Sequence, residues 1–581
     1  MSLLTPRPYP PEAAQRLAAQ GLHPVLARAA AARGICDRSE LAHTLSGLLP
    51  YGRLSGIREM AEILAEAIAA RQRLLVVADY DSDGATACAL AIRALREFGA
   101  DVDYIVPNRF EYGYGLTPEI VEWAAHKRPD IIVTVDNGIA SVAGVDAANA
   151  KGIRVLVTDH HLPGASLPPA AAIVNPNQPG CEFPSKHLAG VGVIFYVMAA
   201  LRAALRDRGE FSAGREPHLA RHLDLVALGT IADVVTLDAN NRTLVHRGLA
   251  RIRAGLACPG IQALLAVAGR QARRASTADL AFAVGPRLNA AGRLDDMSLG
   301  IECLITDDPD RATALAQRLD QLNRERRGIE HTMQDEAKLR LDAIDVAARA
   351  SLSLFDPGWH PGVIGILAAR VKDRHHRPVI AFAPGDSGEL KGSGRSIPGF
   401  HLRDALDRIA KQHPDLILKF GGHAMAAGLT VRQVDFARFT EAFEAVAQQG
   451  LSPADLERVI PTDGSLAVDD ANLDLADLLE PLVWGQGFPP TCFQDTFTVA
   501  AQRVVGGHHR KLVLEREGRS FDAIAFFTAE PLPAAVRAAY RLAVNEYRGA
   551  RALQLVLEHW ESEPGRTAER NHGPGAQGLM A

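Results

Sequence analysis

LLVVADYDSDGATACALAIRALREFG, residues 74–99, contains the change of period from which the fold is read. Leu74 to Ala78 is an unbroken apolar run, the pattern of a strand buried on both faces of a parallel sheet. Asp79, Asp81 and Asp83 follow at alternate positions as the run stops, and Ala85 to Phe98 continues as an alanine-rich helix. Two further runs repeat the arrangement. Ile131 to Val135 ends in VDNG (135–138), and Val155 to Val157 ends in TDHH (158–161), with a helical stretch from Val142 to Ala150 between them. Alternating strand and helix predicts a parallel, helix-covered sheet. Ligands bind at the carboxyl ends of such strands, so Asp79, Asp81, Asp83, Asp136, Asp159, His160 and His161 are expected to converge in space.

An aspartate after a strand is commonly a helix cap or a turn residue. One carboxylate per helix satisfies that role, and a DxDxD string with two adjacent histidines exceeds it. Carboxylates crowded this closely repel one another unless a cation is present. Carboxylate oxygens with imidazole nitrogen suit Mn²⁺ or Mg²⁺. The six cysteines (Cys36, Cys88, Cys181, Cys258, Cys303 and Cys492) form no CxxC pair that would point to structural zinc. Two such ions roughly 3.5–4 Å apart carry out phosphodiester hydrolysis.

The 581 residues predict about three or four domains. With 47% hydrophobic and 23% charged residues the composition is that of a globular protein. No apolar run reaches the roughly 20 residues that span a bilayer, and proline-rich Met1 to Pro11 has no signal-peptide core, so a cytoplasmic protein is expected. The net charge of −5 excludes binding of nucleic acid by bulk charge, and such a partner requires a local basic channel.

Residues 1–70 read as an N-terminal helical segment that includes an amphipathic helix from Ile57 to Ala70, and 71–308 as the metal-binding α/β domain. Residues 309–345, free of proline beyond Asp310, read as a connecting helix on the order of 50 Å long. A smaller α/β domain at 346–450 has strands at Ser351 to Phe355 and Val379 to Phe382, and KGSGRS (391–396) and FGGHAMAAG (420–428) interrupt its later half. Residues 455–562 read as a β-barrel, with strands at Leu512 to Leu514, Ala523 to Phe527 and Leu553 to Leu557, and 563–581 as a disordered tail.

ADYDSDG, VDNG and TDHH resemble the first three motifs of the DHH phosphoesterases. PNRFEYGYGL (107–116), FPSKHLAGVGV (183–193), DLVALGTIADVV (224–235), GPRLNAAGRLDD (285–296), WHPGVIGI (359–366), GSGRS and GGHAMAAG narrow the resemblance to the RecJ branch, from about residue 25 to about residue 560. The resemblance implies a DHH domain, a DHHA1 domain and a C-terminal OB-fold. It also implies that Asp81 and Asp83 each ligate one ion, that Asp136 bridges the pair, that His160 and Asp233 complete the second site and that Asp79 ligates or orients the first. His161 is expected to face the scissile phosphate, with Asp159 orienting the histidines.

Ser393, Arg395, Ser396 and His423 match positions that hold nucleic-acid phosphate, and Arg109, Arg287, Asn289 and Arg293 are further candidates. In GGHHRKLVL (506–514), Arg510 and Lys511 stand beside His508 and His509 at a strand entrance, with Arg503, Arg516, Arg519 and Arg541 nearby in sequence and acidic residues gathered in the preceding linker. OB-folds bind single strands by a basic groove and stacking platforms. The activity implied is 5′-to-3′ single-strand-specific exonuclease action that releases mononucleotides, in recombination and repair. Single-strand binding protein and a RecQ-type helicase are implied partners, and a monomer is the default. Two other readings are a DHH phosphodiesterase of short oligonucleotides or cyclic dinucleotides, which would normally lack the OB region, and a non-catalytic DNA-binding scaffold, which would have lost ligands that are all present here.

Overall fold

The computed structural model describes residues 2–108, 115–212, 214–342, 344–528, 530–547 and 549–563. Two compact units emerge, one of residues 43–458 and 483–488, the other of residues 1–42, 459–482 and 489–581. The proposed tail at 563–581 lies outside the described residues except for Glu563.

The larger unit begins with the sheet expected from the apolar runs. β1 (Arg73–Ala78) leads through α1 (Ser82–Glu97) to β2 (Asp101–Ile105), followed by β3 (Ile131–Val135), β4 (Arg154–Thr158) and β5 (Ala172–Val174). All pairings are parallel, in the order β2-β1-β3-β4-β5. The strand order reverses at β1, so a crevice opens beyond the carboxyl ends of β1 and β3, where Asp79 and Asp136 stand. Helices α2 (Gly190–Asp207), α3 (Leu223–Ala232) and α4 (Gly285–Leu294) pack around it. Every residue of α3 is apolar or buried, an arrangement that only a helix enclosed on all sides tolerates.

Helix α5 (Pro309–Leu341) runs for 33 residues, about 50 Å. Ala312, Ala316 and Leu319 bury its first half against the catalytic domain, while Met333, Ala337 and Leu341 enter the core of the second lobe. That lobe carries β6 (Leu352–Phe355), α6 (Ile364–His375), β7 (Val379–Pro384), β8 (Glu389–Arg395), β9 (Lys419–Gly422) and β10 (Ala426–Arg432) in one mixed sheet, order β9-β10-β8-β7-β6. The glycine-rich strings therefore do not interrupt the unit; they form its antiparallel strands, KGSGRS at the centre of the sheet and FGGHAMAAG at its edge. Their glycines are set by packing: a Cβ at Gly392 would lie 2.6 Å from the Phe382 ring, and one at Gly394 would lie 2.7 Å from Leu402.

In the smaller unit a closed barrel is formed by β11 (Phe493–Val505), β12 (His509–Arg516), β13 (Arg519–Ala525), β14 (Ala535–Tyr547) and β15 (Ala550–Ser562), in the order β11-β12-β13-β15-β14. One pairing, β13 with β15, is parallel, and β14 closes on β11, the connectivity of a five-stranded OB barrel. The proline-rich N-terminus, read as part of a helical segment, instead begins with a strand, Ser2–Pro6, that pairs with Arg458–Thr462.

Candidate metal centre and nucleic-acid channel

Asp79, Asp81, Asp83, Asp136, His160, His161 and Asp233 come together although they span more than half of the catalytic domain in sequence. Three groupings each keep one ligand atom per residue within 4.8 Å: Asp79–Asp81–Asp136, Asp83–His160–Asp233 and Asp136–His160–His161. His160 Nε2 is buried without a hydrogen bond and lies 3.1 Å from Asp136 Oδ1, 3.5 Å from Asp233 Oδ2 and 3.9 Å from Asp83 Oδ2. Asp136 and His160 each belong to two of the three groupings.

The backbone is shaped to permit this crowding. Asp83 accepts the Gly190 and Val191 amides at 2.6 and 2.9 Å, so the amino end of α2 faces it. Asp81 caps α1, accepting the Asp83 and Gly84 amides, and thus combines the ordinary capping role with membership of the cluster. Asp136 has φ +63° and Val234, directly after Asp233, also has φ +63°, a conformation costly for a β-branched residue. Glycines supply the remaining space: a Cβ on Gly84 would meet Asp79 O at 2.4 Å, and one on Gly292 would meet Tyr80 O at 2.0 Å.

Without a cation the cluster cannot keep all of its carboxylates ionised. Burial, then the charges of neighbouring aspartates, push Asp83 and Asp136 well above the carboxylate range, and burial with Asp81 pushes Asp233 up to about 7. Burial lowers His160 to about 4, so it is a neutral imidazole with a nitrogen lone pair to offer. The donor set of buried oxygens and one neutral nitrogen fits Mn²⁺ or Mg²⁺.

His161 is different. Burial would lower it, but the hydrogen bond and charge of Asp159 prevail and raise it to about 9, making it a cation at neutral pH. Its Nδ1 lies 2.8 Å from Asp159 Oδ1. Asp159 also accepts the amides of Ile139, His160 and His161, while Asn177 and Asn175 hold the carbonyls of His160 and His161. Asp159 thus holds the His161 ring and the backbone amides of both histidines.

The second lobe faces this centre. His423 is lowered by burial and by the charge of His161, and it in turn acts on His160, so it stands beside the DHH motif. Arg395 donates to the Ser393 hydroxyl at 3.2 Å and to Gly394 O, and Gly365 leaves room for both side chains, since a Cβ there would lie 2.9 Å from Ser393 Oγ. Arg293 donates to Gly362 O of the WHPG loop, joining the two lobes.

The other expected phosphate contacts of the two lobes are placed as follows. Ser396 is 1% exposed and its hydroxyl donates to Phe400 O, a turn-supporting bond. Arg287 is committed to Asp320 and to Ala283 O. Asn289 accepts the Ser82 amide and hydroxyl, so it holds the acidic loop in place. Arg109 lies outside the described residues.

On the barrel, Arg510 is buried against Gln502, and Lys511 pairs with Asp522. The linker acids fold back onto the basic strands: Asp469 meets Arg519, and Asp477 meets Arg551. Segregation of charge along the chain therefore does not become segregation in space. What sequence reasoning missed is aromatic. Phe526 and Phe527 lie past the end of β13, 47% and 83% exposed, with His508 stacked on Phe527 and His509 edge-on to both phenyl rings. The signal available was the pair of phenylalanines directly ahead of a turn.

Comparison with known proteins agrees with this geometry. Family models described as the DHH family N-terminal domain, the DHHA1 domain and the RecJ OB domain match residues 73–230, 346–449 and 462–559. The single-stranded-DNA-specific exonuclease RecJ of Dickeya dadantii is 52% identical over 549 residues, covering 92% of this chain and 95% of that protein. The Escherichia coli K12 protein of the same name is 49% identical over 552 residues, covering 93% and 96%. The crystal structure of Thermus thermophilus RecJ in complex with Mn²⁺ superimposes with a TM-score of 0.81 at 31% identity, covering 97% of this chain and 80% of that one. A Mg²⁺ complex of the same protein matches with a TM-score of 0.76. Among the described residues no helix is long and apolar enough to cross a membrane.

Proposed function

The chain belongs to the RecJ family of single-stranded-DNA-specific exonucleases, and from that premise we propose that its carboxylate–imidazole cluster removes nucleotides one at a time from the 5′ end of a single strand. It is a metal-dependent hydrolase of single-stranded DNA, acting in recombination and repair, with Mn²⁺ or Mg²⁺ as cofactor. The observation that carries the mechanism is the convergence of three ligand groupings, Asp136 and His160 common to two of them, at the sheet's switch point.

In this reading Asp79, Asp81 and Asp136 would hold one ion, and Asp83, His160 and Asp233, with Asp136, would hold the other. Bound there, two divalent cations supply positive charge along an in-line displacement and lower the pKa of the attacking water. Water adds to phosphorus and the P–O3′ bond breaks, so the released 5′-mononucleotide carries a 3′-hydroxyl and the shortened strand a new 5′-phosphate. His161, kept cationic by Asp159, stabilises the charge that develops on the phosphoryl oxygens. Arg395, Ser393 and His423 hold phosphate from the opposite lobe, and Arg293 ties the lobes together.

We assign the barrel's strand contact to the exposed Phe526, Phe527 and His508 rings, on which unpaired bases stack. On family grounds, single-strand binding protein and a RecQ-type helicase are the partners, the enzyme is a cytoplasmic monomer, and these are parts of the same proposal.

The test is a single-stranded oligonucleotide labelled separately at each end and digested with Mn²⁺, Mg²⁺ or chelator. Early mononucleotide release from the 5′ label, abolished by chelator and by Asp136→Ala while strand binding persists, is expected. Early release from the 3′ label overturns the polarity. Activity confined to dinucleotides favours the small-substrate reading, and binding without cleavage in Mn²⁺ favours a scaffold.

A further inference from the structure

Helix α6 begins at the phosphate residues, where Gly365 abuts Ser393 and Arg395. Arg374, nine residues on and about 13 Å further along the axis, belongs to a different surface. There the carboxyl ends of α5 and α6 enclose a cleft of about 250 Å³. Its floor is aliphatic, with Leu341, Leu367 and Val371 buried. Lys338, Arg370 and Arg374 stand exposed on its rim, and Asp342 is the one carboxylate among the described lining residues.

Cations in the last turn of a helix ordinarily offset its dipole, and Lys338 and Arg374 both occupy such positions. That role needs no apolar floor between them and no shortage of counter-charge. Among the described residues neither Lys338 nor Arg374 forms an ion pair. Arg370 shares Glu330 with Arg326, so the one buried carboxylate nearby is already balanced. The rim thus carries excess positive charge around an aliphatic recess.

Among the described lining residues there is no phenyl or indole ring, and the one imidazole, His375, is half-buried. The recess is smaller than the roughly 300–1,000 Å³ of pockets that enclose whole small molecules, a size for one or two inserted side chains. We propose that this cleft docks an acidic peptide segment of a partner protein, with an apolar side chain on Leu341, Leu367 and Val371 and carboxylates on Lys338, Arg370 and Arg374. Because the cleft and the phosphate residues lie at opposite ends of α6, a partner held here leaves the catalytic channel open and raises the enzyme's local concentration where that partner resides. The inference stands independently of the cleavage polarity assigned above.

The test pans a displayed library of random decapeptides on the full chain, with the Lys338→Glu/Arg374→Glu double variant as counter-target. Both residues are exposed, and the variant is expected to degrade a short oligonucleotide at the wild-type rate, which reports that it is folded. Enrichment of acidic peptides with an aliphatic or aromatic residue is expected. A fluorescein-labelled enriched peptide should bind wild type at least ten times more tightly than the variant, more weakly as salt rises, and undisturbed by oligothymidine. No enrichment over the variant, enrichment of neutral or basic peptides, or displacement by oligothymidine overturns the proposal. Loss of DNA binding by the variant with peptide binding unchanged would make the cleft a strand contact instead.

Discussion

Gly190 and Asp136 are in direct contact: a Cβ on Gly190 would lie 2.6 Å from Asp136 Oδ1, while the Gly190 amide donates to Asp83 Oδ2 at 2.6 Å. One residue without a side chain thus abuts a carboxylate common to two groupings and holds a carboxylate of the third. Gly190→Ala should displace Asp136, and a misplacement on the order of 1 Å costs about 100-fold in turnover. The Mn²⁺ concentration needed for half-maximal rate should rise as well. Rate against Mn²⁺ concentration, with the thermal midpoint followed in parallel, checks this; wild-type metal dependence in the folded variant would contradict it.

Asp159→Asn separates the two histidines. The amides of Ile139, His160 and His161 can still find an oxygen, but the charge that keeps His161 cationic disappears. Removal of such an orienting partner typically costs about 10–100-fold, here in turnover with little change in strand affinity. Bound manganese measured by elemental analysis should stay near the wild-type level, because Asp159 is in none of the ligand groupings. Loss of metal in proportion to activity would make Asp159 a ligand.

The extent to which sequence foretold the centre follows from how each ligand is placed. Asp79, Asp81, Asp83, Asp136 and His160 follow directly on apolar strands of a parallel sheet, and there the period change and the candidate ligand coincide. Asp233 ends a helix, and only the resemblance pointed to it. Its sole physical signal is an ionisable group closing a helix that is apolar along nearly its whole length. In GPRLNAAGR the small residues read as leaving Arg287 and Arg293 beside approachable backbone, and in the fold Gly292 admits Tyr80 O while Asn289 accepts the Ser82 amide. The basic strands of the barrel show what a linear reading leaves out. Charge runs along a chain say nothing about which acids fold back onto them, as Asp469 and Asp477 do.

The barrel's aromatic group carries its own prediction. Phe527 adopts φ +55°, and its amide donates to His509 Nδ1 at 3.0 Å, so a strained backbone is held in place while the ring stays in solvent. Stacking on such a ring contributes about 1–3 kcal/mol per base. Phe527→Ala should therefore weaken binding of a long oligothymidine by roughly 5- to 150-fold, with cleavage of a saturating short oligonucleotide unchanged. Lys511→Ala, which removes a residue already paired with Asp522, should do much less. Fluorescence anisotropy decides between them, and the reverse order of effects would restore a basic groove.

Arg33 and Asp463 test what holds the smaller unit together. Their side chains are each 1% exposed and meet in a two-pronged pair at 2.7 and 3.0 Å, and Arg33 also donates to Ala29 O, Pro489 O and Pro490 O. Every direction around the guanidinium is thus filled by protein. Asp463→Ala leaves that cation buried with carbonyls alone and should cost about 3–5 kcal/mol, read from denaturant unfolding of the barrel. Arg33→Met combined with Asp463→Leu removes both charges and should recover much of the loss, since replacing a buried pair by apolar groups is often nearly neutral. A double variant as unstable as the single one would show that Arg33 acts through its carbonyl bonds to residues 29, 489 and 490 and that its charge matters little.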